Sequence, residues 1–181
     1  MGRHIDNDVI FAGEDVLDFH LRIEIHERGP ELIPLGNATY SLNGREMESA
    51  FGVIPGDVVG IGATTVQIGV KRETTDGIRA WVSQDDVGER VHDVQDDLLI
   101  SRHPECGLQI ESEHVSRLHA RLVQVAGALW IQNLASANGT AVNQRTIRGG
   151  CRLLHGDEIR FDEIRLRLRD IGEDRTARFP G

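Results

Sequence analysis

The sequence predicts an all-β chain built as two antiparallel β-sandwiches in tandem. Two observations predict it. Short apolar or alternating segments follow one another between frequent turn residues, with no sustained helical period. The chain also repeats itself, at an offset of 99 residues early and 100 late, and a constant offset over many landmarks marks two copies of one unit.

The elements of the second half follow in order. Residues 97–101 (DLLIS) hold the apolar run Leu98, Leu99 and Ile100, and 107–111 (GLQIE) alternate Leu108 and Ile110 with polar neighbours. Residues 118–124 (LHARLVQ) and 128–134 (ALWIQNL) are longer apolar segments parted by the VAG of 125–127. The brief segment 140–143 (TAVN) precedes the RGG of 148–150, and 157–161 (DEIRF) follows the HGD of 155–157. In 163–169, Ile164, Leu166 and Leu168 alternate with Arg165, Arg167 and Arg169, the pattern of a strand with one wet face. Strands this short and this closely spaced suggest a sandwich of about 100 residues.

The repeat supplies the first half. GRH at 2–4 returns as SRH at 101–103, VLDFHLR at 16–22 as VSRLHAR at 115–121, and Asn43 and Asp57 as Asn143 and Asp157. The break falls in the polar KRETTDG of 71–77. The expected organisation is a first copy over 1–70, a linker over 71–78, a second copy over 79–171 and a tail over 172–181. The first copy starts one residue before its Gly2-Arg3, so it is expected to be short of its N-terminal strands. It would then be completed by other sequence or leave a sheet edge open to pairing.

Composition and charge exclude several classes. The 181 residues are 39% hydrophobic and 27% charged, and at 4% aromatic the cores must be built from Val, Ile and Leu. No apolar run is long enough to span a membrane and MGRHIDND is no signal peptide, which leads us to expect a cytoplasmic protein without membrane insertion. Residues 1–87 carry 7 Lys and Arg against 15 Asp and Glu, net −8; residues 88–181 carry 13 against 14, net −1. Such a chain is a poor match for nucleic acid, which wants a basic face. The second half can accept a small anion. Cys106 and Cys151 make no disulfide framework.

Arg102, then Ser116 and His119 spaced as S-x-x-H, then Ser136, Asn138, Gly139 and Thr140 as S-x-N-G-T, then Val142-Asn143 and Gly156-Asp157, together resemble the signature of the forkhead-associated (FHA) domain. The resemblance covers residues 79–170 well and the first half more weakly. It implies a β-sandwich whose loops at one end bind a phosphothreonine peptide. Phosphothreonine presents nearly two negative charges and three strong acceptors, so it wants a guanidinium fork and neutral donors close by. The resemblance implies that Arg102 supplies the fork and Ser116 a hydroxyl, with Arg117 and the Ala137 amide completing the phosphate-facing set. Asn138 would hold the peptide main chain. His119, Ser136, Gly139, Thr140, Asn143 and Asp157 would support the loops. The small polar residues of 133–143 thus make sense as a binding surface rather than as core.

Three departures from the family pattern matter. Ser101 stands where the family has Gly before the arginine, and Ala137 offers no hydroxyl, which points to reduced affinity. In the first copy Leu17 replaces the phosphate-binding serine, Asp18 adds a carboxylate, and Gly36, Ala38 and Thr39 replace Ser, Asn and Gly. That copy is expected to be degenerate and to serve docking or homodimerisation without phosphate.

Other readings fare worse. His103, Cys106, His114 and His119 have loose zinc-like spacing but no paired C-x-x-C, so no metal and no cofactor is expected. No nucleophile elbow, phosphate cradle or carboxylate pair suggests an enzyme. Thr74 and Thr75 in RETTDG resemble the Glu-Thr-Thr segment that serine/threonine kinases phosphorylate in small actinobacterial FHA regulators; a phosphate there would make a tethered ligand, and Thr176 is a second candidate. The expected partner is a phosphothreonine-bearing protein, a Ser/Thr kinase or its substrate. The rival expectation is a phosphate-independent scaffold, as in FHA-like domains of secretion machinery. His114, two residues before Ser116, would favour an acidic residue after the phosphothreonine.

Overall fold

The computed structural model describes residues 1–69, 80–84, 92–94, 97–125 and 127–170. The linker expected over 71–78, with Thr74 and Thr75, and the tail over 172–181, with Thr176, lie outside the described residues. Every regular element among those described is a strand, and the chain divides into two compact units, Met1–Lys71 and Arg72–Gly181.

Unit 1 contains β1 (Leu21–His26), β2 (Gly29–Pro34), β3 (Tyr40–Leu42), β4 (Arg45–Met47), β5 (Phe51–Gly52), β6 (Val58–Ile61) and β7 (Thr64–Gln67). They form two sheets, β1-β2-β5 and β4-β3-β6-β7. Leu21 and Leu32 from the first meet Tyr40, Leu42, Val59 and Ile61 from the second, and the loop residues Phe11 and Val16 complete the core. Turn chemistry joins β3 to β4: Asn43 and Gly44 both take positive φ, 52° and 82°, as a two-residue hairpin turn matched to strand twist requires.

Unit 2 contains β8 (Ala80–Gln84), β9 (His92–Val94), β10 (Leu98–Ser101), β11 (Leu108–Gln109), β12 (Ala120–Val125), β13 (Ala128–Asn133), β14 (Thr140–Val142), β15 (Arg145–Ile147), β16 (Gly150–Leu153), β17 (Glu158–Phe161) and β18 (Ile164–Asp170). Its sheets run β11-β10-β12-β13-β16 and β15-β14-β17-β18-β8-β9. Ile100, Leu122 and Ile131 of one face Ile159, Phe161 and Leu166 of the other, each at most 1% exposed. Burying one such side chain contributes about 1.5–3 kcal/mol. The alternation read in 163–169 is realised, with Leu166 and Leu168 buried and Arg165 and Arg167 exposed.

The two units share one register plan. β1 pairs with β2 from Leu21↔Pro34 to His26↔Gly29, and β12 with β13 from Ala120↔Asn133 to Val125↔Ala128, the same pairs displaced by 99. β3–β6 and β14–β17 match at a displacement of 100. The extra residue therefore lies between β13 and β14, where unit 2 spends six residues (134–139) and unit 1 five (35–39).

Three details differ from the sequence expectation. The sandwich of unit 2 is not wholly antiparallel, because β10 pairs with β11 in parallel, Ile100↔Leu108 and Ser101↔Gln109. The excursion 102–107 carries the chain out and back in the same direction, which puts Arg102 at the head of a loop; Gly2 and Ile10 form the corresponding parallel bridge in unit 1. The segment 107–111 shortens to two residues because Ile110 turns away to donate its amide to Ser101 O at 2.8 Å. Strands β15 and β16 carry weak patterns, Arg-Thr-Ile and Gly-Cys-Arg-Leu, and are not evident from the sequence. Among the described residues, unit 1 shows no counterpart of β8 and β9, which extend the second sheet of unit 2 beyond β18.

Candidate functional site

The site of unit 2 is assembled from three loops at one end of the sandwich. The loop after β10 brings Arg102, the loop before β12 brings Ser116 and Arg117, and the loop between β13 and β14 brings Ser136 to Gly139. Backbone bonds tie the first two, with Arg102 N donating to Ser116 O at 3.3 Å and His119 N to Ile100 O at 3.2 Å. Ser101 adds a side-chain stitch. It is fully buried, its hydroxyl donates to Arg117 O at 2.7 Å, and the same oxygen accepts from His103 N at 2.8 Å. In unit 1 the equivalent Gly2 has no room for a Cβ, which would collide with Asp18 O. Where unit 1 joins His4 N directly to Asp18 O at 3.0 Å, unit 2 places the Ser101 hydroxyl between His103 N and Arg117 O, so that it holds both arginine-bearing segments.

His119 locks the second and third loops together. Its Nδ1 accepts from Ser116 N at 3.0 Å, and Nε2 donates to Gly139 O at 3.0 Å, so the ring is the neutral Nε2–H tautomer. Phe161 packs edge-on against it at 4.7 Å. Burial holds its pKa below the usual 6.5, with the Gly139 carbonyl acting in the opposite direction. Gly139 takes φ = 76°, a left-handed value that residues with a Cβ resist, and this aims its carbonyl at the ring.

Asn133, at the end of β13, is a hub that sequence reasoning missed. Its Oδ1 accepts from Ser136 N at 3.3 Å, Ser136 Oγ at 2.7 Å and Thr140 Oγ1 at 3.4 Å. The signal was an Asn opening a turn-rich stretch, the residue best able to bond its own downstream backbone. At the loop's far side Asn143 Nδ2 donates to Asp157 Oδ1 at 2.7 Å, Asp157 Oδ2 accepts from Leu154 N at 2.7 Å, and Glu158 N donates to Asn143 Oδ1 at 3.0 Å.

What remains open to a ligand is the guanidinium of Arg102, that of Arg117 and the Ser116 hydroxyl. With the exposed Leu118, another residue not foreseen, they line a depression of about 540 Å³. Among the described residues neither guanidinium has a carboxylate partner. Two of the expected ligand-facing groups also bond within unit 2. The Ala137 amide does not face outward, because it donates to Ser116 Oγ at 3.1 Å; this leaves the hydroxyl proton of Ser116 to be donated elsewhere. Asn138 Nδ2 donates to His114 O at 3.0 Å, holding its loop against the segment before Ser116. His114 Nδ1 lies 2.8 Å from Asp162 Oδ2. Of the residues with zinc-like spacing, His103 Nδ1 accepts from Glu105 N and Cys106 Sγ contacts Ser101 O. Among the described residues no three metal-ligating side chains gather.

Unit 1 keeps the support and changes the face. His20 accepts from Leu17 N at 3.1 Å and donates to Thr39 O at 2.7 Å, and Asn43 donates to Asp57 Oδ1 at 2.8 Å, the bonds of His119 and Asn143 over again. Its arginine is occupied: Arg3 Nε and Nη2 both donate to Asp18 Oδ1, at 3.1 and 3.0 Å.

Among solved structures, the chain is similar to the FHA domain of an Arabidopsis thaliana hypothetical protein, with TM-score 0.51 and 19% identity over 61% of this chain and 100% of that one. It is also similar to Mycobacterium tuberculosis EmbR solved in complex with a low-affinity phosphopeptide (TM-score 0.49, 27% identity, 52% of this chain and 25% of that one). A third is the Slr1951 protein of Synechocystis sp. (TM-score 0.46, 27% identity, 51% and 96%). No curated protein matches the chain. The family model for the FHA domain matches residues 1–62 and 99–162, more than half of the sequence, so the chain belongs to the FHA-domain family and carries two copies of the domain.

Proposed function

We propose that the protein is a cytoplasmic adaptor whose second FHA domain reads phosphothreonine on a protein partner, a Ser/Thr kinase or its substrate, while the first docks without phosphate or pairs with a second copy. One observation carries this reading: two guanidiniums, Arg102 and Arg117, with no carboxylate partner among the described residues, stand beside a serine hydroxyl whose proton is free to donate. A phosphate offers the three acceptors and the charge that such a set satisfies. The same place in unit 1 holds a closed Arg3–Asp18 pair and Leu17, which offer a dianion nothing. Ser136, Asn138, Gly139, Thr140, Asn143 and His119 act in this reading by holding the loops in register. Thr74 and Thr75 are proposed phosphosites whose modification would supply a competing tethered ligand.

The test is binding of a degenerate phosphothreonine peptide library, with phosphoserine and unphosphorylated controls, to the wild type and Arg102→Ala. Micromolar binding that requires the phosphate, and that Arg102→Ala weakens roughly 10- to 100-fold as loss of a charged hydrogen-bond pair should, supports the reader. Binding indifferent to the phosphate and to Arg102 would transfer the protein to the phosphate-independent scaffolds. Kinase-treated protein that kept full affinity for external phosphopeptide would remove the Thr74/Thr75 switch.

A further inference from the structure

The loops of unit 1 that correspond to the phosphate-facing loops of unit 2 are not merely worn; they carry a different chemistry. The displacement of 99 sets Leu17 against Ser116, Asp18 against Arg117 and Phe19 against Leu118. Leu17 is 38% exposed, Phe19 51%, Ile5 80%, Val9 42% and Ile10 57%. These residues sit on loops stitched into one body. Arg3 N donates to Leu17 O at 2.9 Å and His4 N to Asp18 O at 3.0 Å. Asn7 Nδ2 bonds both His4 O and Asp18 O, and the rings of His4 and Phe19 lie 5.3 Å apart. The Gly2–Ile10 bridge fastens the third segment. A held surface of this kind, with large apolar side chains turned to water, is the usual mark of an interaction site.

Charge says what kind of partner fits. The same segment carries the exposed carboxylates of Asp6, Asp8, Glu14 and Asp15. Among the described residues none of them has a Lys or Arg partner, and the segment's one arginine is spent on Asp18. A homodimer that placed this patch on itself, as a two-fold axis does, would set these carboxylates against each other. Apolar contacts beside acids that lack a Lys or Arg partner instead suit a partner whose apolar side chains are flanked by Lys or Arg.

We propose that this loop end of unit 1 docks an unphosphorylated, basic-flanked apolar segment of a partner protein, and that phosphorylation of that segment expels it. The proposal rests on the reading of unit 1 as phosphate-independent and names the ligand of that site. Phosphorylation brings a dianion against Asp18 and its acidic neighbours, with the Arg3 guanidinium already engaged. The two units then respond to phosphorylation with opposite sign: unit 2 gains a ligand where unit 1 loses one.

The experiment uses the full chain with Arg102→Ala, Ser116→Ala and Arg117→Ala together, which removes every open phosphate donor of unit 2. A nonapeptide library with Leu, Ile or Phe at two central positions and Lys or Arg on either side is screened beside the same library carrying phosphothreonine. Selection from the unphosphorylated library, weakened about tenfold by Leu17→Ser with Phe19→Ser and lost progressively as salt rises, is the expected result. Removing charge with Asp6→Asn, Asp8→Asn, Glu14→Gln and Asp15→Asn should flatten the salt dependence while leaving both apolar contacts in place. Preference for the phosphorylated library would overturn both the proposal and the phosphate-independent reading of unit 1. No selection, with self-association that Leu17→Ser and Phe19→Ser abolish, would overturn the proposal but keep that reading as a dimerisation domain. No selection and no self-association would overturn the proposal alone.

Discussion

His119 does its work with a neutral ring, and that makes the site sensitive to acid. Protonating Nδ1 would replace an acceptor by a donor facing Ser116 N–H, so the folded state resists the proton, as the downward shift by burial requires. A histidine whose folded pKa lies below its unfolded value of about 6.5 contributes stability in full above that pH; as pH falls toward the folded pKa the unfolded chain takes up the proton first and the contribution is lost. We expect the His119 ring resonance to titrate below 6.5, and the stability of unit 2 to decline from pH 6.5 downward. A ring that titrates at or above 6.5 would refute this assignment of the tautomer's role. Ser101 is the second residue whose role is out of proportion to its size. Ser101→Ala removes two hydrogen bonds at a buried position, and at about 0.5–1.5 kcal/mol for each the loss should be about 1–3 kcal/mol of unfolding free energy. It should also loosen Arg102 relative to Arg117 and weaken phosphopeptide binding, readable by calorimetry. An alanine variant as stable and as tight as wild type would return Ser101 to the status of a tolerated departure.

At the scale of elements, the hairpin of β14 and β15 fixes the recognition loop from behind. Asn143 sits at φ = 49° and also bridges buried Asp157 and Glu158 N, so one residue serves both turn and pin. Asn143→Ala should cost about 2–4 kcal/mol, from a lost bond to a carboxylate and from strain at positive φ. Asn143→Gly keeps the turn and loses only the bonds, so denaturant titration of the two variants separates the contributions; equal costs would mean the strain is negligible. This hairpin also shows what was legible in the sequence. Asn143, Asp157, His119 and Gly139 were singled out through the family resemblance, and each sits where the structure makes a local demand that few residue types meet, a left-handed turn or a two-sided hydrogen bond. The repeat was readable because both units keep the His, the Asn and the Asp at nearly constant offset, His20, Asn43 and Asp57 for His119, Asn143 and Asp157. Strands β15 and β16 were not, because three or four residues of mixed polarity carry no period and acquire strand form only by pairing with β14 and β13. The engaged Ala137 amide and the Asn133 hub were hidden for a related reason: which neighbour a backbone group finds is settled by loop packing, which residue identity alone does not disclose.

Across the whole molecule, two copies of one domain are present and the open cationic set occurs in only one of them. Two of the residues that stitch the loops are duplicated, His20 for His119 and Asn43 for Asn143, whereas Gly2 and Pro34 stand in place of Ser101 and Asn133; the units therefore differ in these two supports, in the ligand-facing residues and in the loop that is one residue shorter in unit 1. A saturating phosphothreonine peptide should therefore bind with a stoichiometry of one per chain, and Arg102→Ala should weaken it roughly 10- to 100-fold, while Arg3→Ala should leave it unchanged, because Arg3 is held by Asp18. Leu17→Ser with Asp18→Arg reverses the two substitutions that matter most: it returns a hydroxyl, frees Arg3 and adds a second cation. Calorimetry on this variant should show a second phosphate-dependent event, weaker than the first because Ala38 and Thr39 still lack the Asn-Gly pair of the longer loop. If the stoichiometry of the wild type were two, the Arg3–Asp18 pair would have to open at little cost. An exposed pair contributes no more than about 1 kcal/mol, so the block must come chiefly from the missing hydroxyl and the carboxylate's repulsion of a dianion. Asp18→Asn alone distinguishes these: a second site appearing with that single change assigns the block to charge, and its continued absence assigns it to Leu17.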